Sequence, residues 1–114
     1  MEVSRGDIFS VDLNPVIGTE QAGIRPALIM QINRANAVSP HTIIIPFTTR
    51  IREVKLPSHV KIPAGTGGLT DDSVLLCEQI RVIDKKRLIR WKGNIGEGYL
   101  KEVAAAIIVI LGLA

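Results

Sequence analysis

Cysteine, aromatics, metal-binding motifs and long apolar runs are all scarce in this 114-residue chain, and each shortage removes a class of answer. The single thiol, Cys77, cannot close an internal disulfide, and it follows the apolar run Val74-Leu75-Leu76 with no histidine nearby in sequence. It reads as a core thiol of a cytoplasmic protein. The aromatics are Phe9, Phe47, Trp91 and Tyr99, most of them core-like, so any nucleic acid must be recognised more by hydrogen bonds than by base stacking. The amino terminus, Met1-Glu2-Val3-Ser4-Arg5, lacks the apolar stretch of a signal peptide. The apolar run from Val103 to Ala114 falls short of the roughly 20 residues that span a bilayer, so no membrane role is expected.

Metal and triad chemistry are equally sparse. There is no HExxH, no paired cysteine and no carboxylate cluster suited to two-metal phosphoryl transfer, so no metal and no cofactor are expected. Asp71-Asp72 is an adjacent carboxylate pair that reads as a turn. His41 and His59 stand in separate segments and read as structural or exposed, with nothing assigning either as a base.

What is present describes one β-rich domain over residues 1–114, without internal repeats or linkers. Its net charge of +3 and pI near 9.4 suit a polyanionic partner without demanding one. From Gly6, alternation predicts a strand with Phe9, Val11 and Leu13 on its buried face. Ala27–Ile32 is a continuous apolar run, expected of a central strand covered on both faces, and Thr42–Thr48 is β-branched. An antiparallel order of these two brings Thr48 beside Arg25. Arg50–Glu53 reads as a charged turn, and Val54–Ile62 alternates with period two, broken by Pro57, as in an edge strand or a bulge. Short strands are expected over Ser73–Glu78, Ile80–Ile83 and Leu88–Gly93, with a basic turn at Asp84–Arg87. About seven short strands describe a small barrel. From Glu97, apolar residues at 100, 103, 104, 107, 108 and 111 predict a helix stopped by Gly112. Its other faces are apolar too, so it needs cover, most simply from a second subunit.

Between the first two strands lies Gly18-Thr19-Glu20-Gln21-Ala22-Gly23-Ile24-Arg25-Pro26, read as a working loop hinged at its glycines. The competing reading is a polar connection with an exposed Glu20–Arg25 ion pair. Thr19-Glu20-Gln21-Ala22-Gly23-x-Arg25-Pro26 resembles the signature loop of the MazF/PemK family of toxin endoribonucleases. Arg5-Gly6-Asp7-Ile8-Phe9-x-Val11-Asp12-Leu13-x-Pro15 is similar to that family's first strand. Ser39-Pro40 leading to Thr48, and Asp72-Ser73-Val74-Leu75-Leu76-x-Glu78-Gln79-Ile80-Arg81-x-Ile83-Asp84, agree at compatible spacing.

The resemblance implies a mainly β fold, an SH3-like barrel with a carboxy-terminal helix, pairing as a homodimer. It implies a sequence-specific, metal-independent endoribonuclease that cuts single-stranded RNA, leaves a 2′,3′-cyclic phosphate and a 5′-hydroxyl, and inhibits translation and growth. Its partner would be a cognate antitoxin with an acidic, disordered tail, and DNA would be met only through the toxin–antitoxin complex. The catalytic positions carry over to Arg25 and Thr48. Since a guanidinium rarely releases its proton, charge stabilisation is the expected part of Arg25, while Glu20 either accepts the 2′-proton or orients Arg25. Thr19, Gln21 and Gln79 are candidate base contacts, and Arg5 and Arg81 candidate phosphate contacts, with structural ion pairing a competitor for both arginines. The segments Gln31–Asn36, Gly65–Gly68 and Gly96–Gly98 follow the family pattern only loosely, which leaves the target sequence open. Two other classes stay in view: a CcdB-like toxin that poisons DNA gyrase, and a nucleic-acid-binding barrel without catalysis.

Overall fold

A computed structural model describes residues 2–50 and 56–113 of the chain. Seven strands form one antiparallel sheet, followed by a carboxy-terminal helix. The strands are β1 (Asp7–Asp12), β2 (Ile24–Ile29), β3 (His41–Thr48), β4 (His59–Ile62), β5 (Ser73–Leu76), β6 (Arg81–Asp84) and β7 (Leu88–Asn94). A single helical turn, α1 (Asn33–Asn36), stands where a turn was expected, and α2 (Glu97–Leu111) is the long helix. The strand order is β4-β5-β3-β2-β1-β7, with β6 also pairing β3, so the expected barrel takes the form of a sheet that does not close.

Alternation sorts the strand residues into two cores. Ile8, Leu28 and Ile45 stand in register across β1, β2 and β3 and join Phe47, Leu75, Val103 and Ala106 in a cluster under α2. Phe9, Val11, Leu13, Ala27, Ile29 and Ile44 point the other way, against Ile83 and Leu88. The three middle strands are therefore covered on both faces, and their near-continuous apolar runs follow from that. Ile8 is fully buried as well, although simple alternation put only Phe9, Val11 and Leu13 inside.

Three boundaries differ from expectation. Strand β2 begins at Ile24 rather than Ala27, so Arg25 and Pro26 belong to the strand and not to the loop. Pro26 is tolerated there because β2 pairs β3 only over Ala27–Ile29, and the Ile24–Pro26 half pairs on one side only. The stretch read as strand through Glu78 ends at Leu76, and Cys77–Gln79 forms a 3-10 turn. Strand β4 begins at His59. The expected charged turn lies outside the described residues from Ile51 to Glu53, as do Val54 and Lys55 of the expected strand. Helix α2 ends as expected at Gly112, which adopts a left-handed φ of 67°. It buries Val103 and Ala106, while Ile108 and Leu111 remain exposed.

The loop between β4 and β5 packs against β7. A β-carbon on Gly93 would lie 2.5 Å from the backbone carbon of Gly67, so only glycine lets the Thr66–Gly68 turn rest on β7.

Candidate active site

The site arises where β3 changes partners. Strand β3 pairs β6 along its first half, His41–Ile44, pairs β2 on the other side over Ile44–Pro46, and at its end pairs β5. Phe47 stands opposite Leu75 and Ile44 opposite Arg81, so three steps along β3 match six along β5 and β6. The surplus is extruded as the 3-10 turn Cys77–Gln79, which lifts Glu78 and Gln79 out of the ladder. On the other side β2 and β3 are paired only as far as Ala27 and Pro46. Beyond that pair Arg25 and Thr48 are left on the two walls of an opening.

That opening is a cleft of about 490 Å³, lined by the 18–22 loop, Arg25, Thr48, Arg50, His59, Leu76, Glu78 and Gln79. Arg25 is half-buried, and its Nε donates to the carbonyl oxygen of Ala22 at 3.0 Å, which ties one edge of the guanidinium to the loop. Thr48 is buried, and its Oγ1 accepts from the backbone N–H of Arg50 at 3.2 Å, so its own hydroxyl proton stays available to donate. Glu20 Oε1 accepts from the backbone N–H of Ile17 at 2.5 Å. Among the described residues no Glu20–Arg25 ion pair forms, and the sole salt bridge joins His59 to Glu78, so the polar-connection reading loses its ion pair.

The loop is held at both ends and at its middle. Gly18 and Gly23 take left-handed φ values of 61° and 79°, open only to glycine at low cost. The backbone N–H of Gln21 donates to Gln79 Oε1 at 2.8 Å, which fastens the loop to the extruded turn.

Of the residues singled out from sequence, Thr19, Glu20, Gln21, Arg25, Thr48 and Gln79 all line this cleft. Arg81 lies in an adjoining hollow of about 370 Å³ that shares Glu20, Gln21, Glu78 and Gln79, and its Nη1 points at the Leu13 carbonyl oxygen at 3.4 Å. Arg5 is not brought to the cleft. It precedes β1 at the end away from the loop, and its backbone N–H donates to Asn33 Oδ1 at 2.6 Å.

Sequence reasoning missed Arg50, Glu78 and His59. His59 Nε2 stands 2.9 Å from Glu78 Oε2, and Ser58 Oγ donates to Glu78 Oε1 at 3.0 Å. Burial alone would raise the Glu78 carboxyl, but hydrogen bonds from His59, its own backbone and Ser58, with the His59 charge, outweigh it and hold the group below 4.5. The only signal for Glu78 was its place beside Gln79, and none pointed to His59. His41 is exposed at the start of β3, opposite Asp84. Burial, with a smaller push from the Glu78 charge, raises the Cys77 thiol to about 12. Among the described residues no three of His, Cys, Asp or Glu cluster as a metal site would require.

A cation fork, a hydroxyl and a row of amide and carboxylate acceptors thus share one groove, which suits a phosphodiester with its bases. Comparison with known proteins supplies the family. The family model of the PemK-like, MazF-like toxins of type II toxin–antitoxin systems matches residues 4–111. Endoribonuclease EndoA of Bacillus subtilis is 42% identical over 113 residues, covering 99% of this chain and 97% of that protein. Endoribonuclease MazF of Staphylococcus saprophyticus is 45% identical over 109 residues, covering 96% and 91%. The structure of MazE–MazF from Deinococcus radiodurans superposes with a TM-score of 0.79 at 26% identity, covering 100% of this chain and 99% of that one. The chain belongs to the PemK-like, MazF-like toxins of type II toxin–antitoxin systems.

Proposed function

We infer that this toxin is an endoribonuclease that cuts single-stranded RNA in the Arg25–Thr48 cleft without needing a metal. The observation that carries the reading is that Arg25 and Thr48 line the same opening, one tethered through Nε and the other through its hydroxyl oxygen, so that each keeps donors for a substrate. The ribose 2′-oxygen attacks the adjacent phosphorus, the bond from phosphorus to the 5′-oxygen breaks, and the products are a 2′,3′-cyclic phosphate and a 5′-hydroxyl. The 2′-proton passes to an acceptor and a proton reaches the departing 5′-oxygen. Arg25 and Thr48 donate to the phosphoryl oxygens as negative charge builds there. Glu20 holds Ile17 with one carboxylate oxygen, and its other oxygen is the candidate acceptor for the 2′-proton. Thr19, Gln21 and Gln79 meet the bases, and Arg81 in the next hollow meets a phosphate further along the strand; Arg5 would contact only RNA that extends past the far end of β1.

Two partners follow. A cognate antitoxin with an acidic tail, disordered until bound, fits a cleft that carries Arg25 and Arg50. A second copy of the chain covers the outer face of α2, where Val109 is 59% and Leu111 53% exposed. The protein acts in the cytoplasm, where its RNA substrate is; among the described residues no helix is long and apolar enough to cross a membrane.

The test is incubation of purified protein with a long single-stranded RNA in EDTA, beside Arg25→Ala, followed by mapping of cut sites and end groups. Discrete cuts with cyclic phosphate ends, absent with the variant, are expected. Intact RNA over a broad range of conditions refutes the reading.

A further inference from the structure

The cleft holds a second constellation that the phosphate chemistry leaves unused. Glu78 stands in the extruded turn with its side chain 24% exposed, and His59 packs behind it at 8%. Oε1 accepts from the hydroxyl of the fully buried Ser58, Oε2 is held by His59 Nε2, and the backbone N–H of Glu78 itself adds a third hydrogen bond to the carboxylate. The two oxygens offer four lone pairs in all, so one acceptor site remains for a base, and an ionised carboxylate offers no donor. Beside it the Gln79 side-chain oxygen is taken by the Gln21 N–H, which leaves its amide NH2 as the group free to donate. Glu78 and Gln79 line both the Arg25 cleft and the adjoining hollow.

The geometry points to Glu78 as a reader of one RNA base, accepting an amino-bearing base and rejecting uracil, with Ser58 and His59 as its positioning residues. The inference rests on the nuclease reading above. Adenine, cytosine and guanine each present an exocyclic NH2 that a carboxylate accepts. Uracil has one ring N–H set between two carbonyl oxygens. Closing that single bond brings a carbonyl lone pair against the second carboxylate oxygen, and the mismatch is costly because both oxygens are fixed in place.

Position favours base reading over proton transfer. His59 pairs Leu76 in β5 while Thr48 pairs Val74 from the other side, so β4 lies two strands from β3. At roughly 4.8 Å per strand this sets the His59 backbone about 10 Å from that of Thr48. Proton transfer to or from the reacting oxygens needs contact at about 3 Å. The negative charge of Glu78 also turns phosphates away, towards Arg25 and Arg50, and leaves a base edge as its partner.

The experiment uses an RNA library randomised over a stretch of single strand, cut by the parent, Glu78→Gln and His59→Gln, with the new 5′-hydroxyl ends sequenced. The parent should exclude uracil at one position of its site. Glu78→Gln presents a donor beside an acceptor, which matches uracil, so cuts carrying uracil at that position should rise by roughly 5- to 150-fold relative to the other bases. His59→Gln should relax the same position and no other. A parent that accepts uracil at every position overturns the proposal. So does a Glu78→Gln profile that keeps the parental base choice while all sites slow alike, since that is the mark of a structural role. Should the parent leave the library intact, the nuclease reading fails separately. Sequencing of library RNA retained on immobilised parent and Glu78→Gln protein then decides the base preference by itself, and identical retained pools overturn it.

Discussion

Replacing Arg25 separates charge from geometry. Its Nε bond to the Ala22 carbonyl oxygen fixes one edge of the guanidinium, so the two terminal nitrogens form a pre-set fork across the cleft from Thr48. Removing one such donor from a developing oxyanion costs about 10²–10³ in kcat, or about 2.7–4 kcal/mol. Arg25→Ala removes the whole fork and should cost about 10³–10⁴, short of the roughly 10⁴–10⁶ that two independent losses would multiply to, because groups acting together are not additive. Arg25→Lys keeps the positive charge but gives up the anchor and the second nitrogen, so it should fall about 10²–10³ below the parent. Stability should change far less. The Ala22 bond is one neutral-acceptor hydrogen bond in a partly exposed loop, worth about 0.5–1.5 kcal/mol, equivalent to a few degrees in Tm. Initial rates on a short fluorogenic RNA, set beside thermal unfolding of the same three proteins, measure both quantities. A parental rate for Arg25→Lys would refute the fork argument, and a large loss of Tm for Arg25→Ala would show that the residue serves the fold.

Thr48→Val keeps the shape of the side chain and loses its hydroxyl, so cleavage should fall about 10²–10³ while Thr48→Ser stays near the parent; initial rates of both decide whether the hydroxyl or the packing matters. The Glu78 carboxyl lies below its ordinary 4.5 in the folded chain, so its ionised form stabilises the fold above 4.5 and that contribution drains away as pH falls through the lowered value. The parent should therefore exceed Glu78→Gln in urea midpoint near neutrality, with the gap closing well below pH 4.5, and a gap constant with pH would refute the linkage. Cys77, fully buried with its thiol raised to about 12, should react with a thiol reagent at neutral pH only as fast as the protein opens, and labelling at the rate of a free thiol would contradict its burial.

Much of the architecture was legible because its signals are local. The alternation from Ile8 to Leu13, the spacing of Leu100, Val103, Ala104 and Ile107, and the left-handed stop at Gly112 each depend on a few adjacent residues. The meeting of Arg25 with Thr48 was legible for a different reason. Two consecutive strands in antiparallel order bring the start of one to the end of the next, and the observed pairing of Ala27 with Pro46 leaves Arg25 and Thr48 two residues beyond on each strand. Strand β2 was started too late because Pro26 resembles a loop residue, and only the missing pairing on its β3 side explains why it is tolerated. Arg5 was grouped with the site because a motif gives order along the chain but not the end of the strand at which a side chain falls.

Glu78 and His59 were out of reach because their meeting depends on a register that nothing in either segment encodes. The apolar run from Val74 to Cys77 gives no sign that the strand ends at Leu76, since Cys77 is as fully buried as the strand residues before it. Had β5 continued unbroken into β6, residues 77–79 would have faced β3 in the ladder, and their backbone groups would have been spent on pairing. The three-residue surplus between the two pairings turns Glu78 and Gln79 outward instead, while Cys77 stays buried. That displacement places Glu78 against Ser58 and His59, brings Gln79 to the Gln21 N–H, and forms the wall shared by the cleft and the adjoining hollow. The change of partner from β6 to β5 therefore builds one wall of the opening that the end of the β2–β3 pairing leaves at Arg25 and Thr48. A deletion that shortens the extruded turn should damage the cleft and the adjoining hollow together, whereas a substitution confined to the 18–22 loop should spare the Glu78–His59 pair.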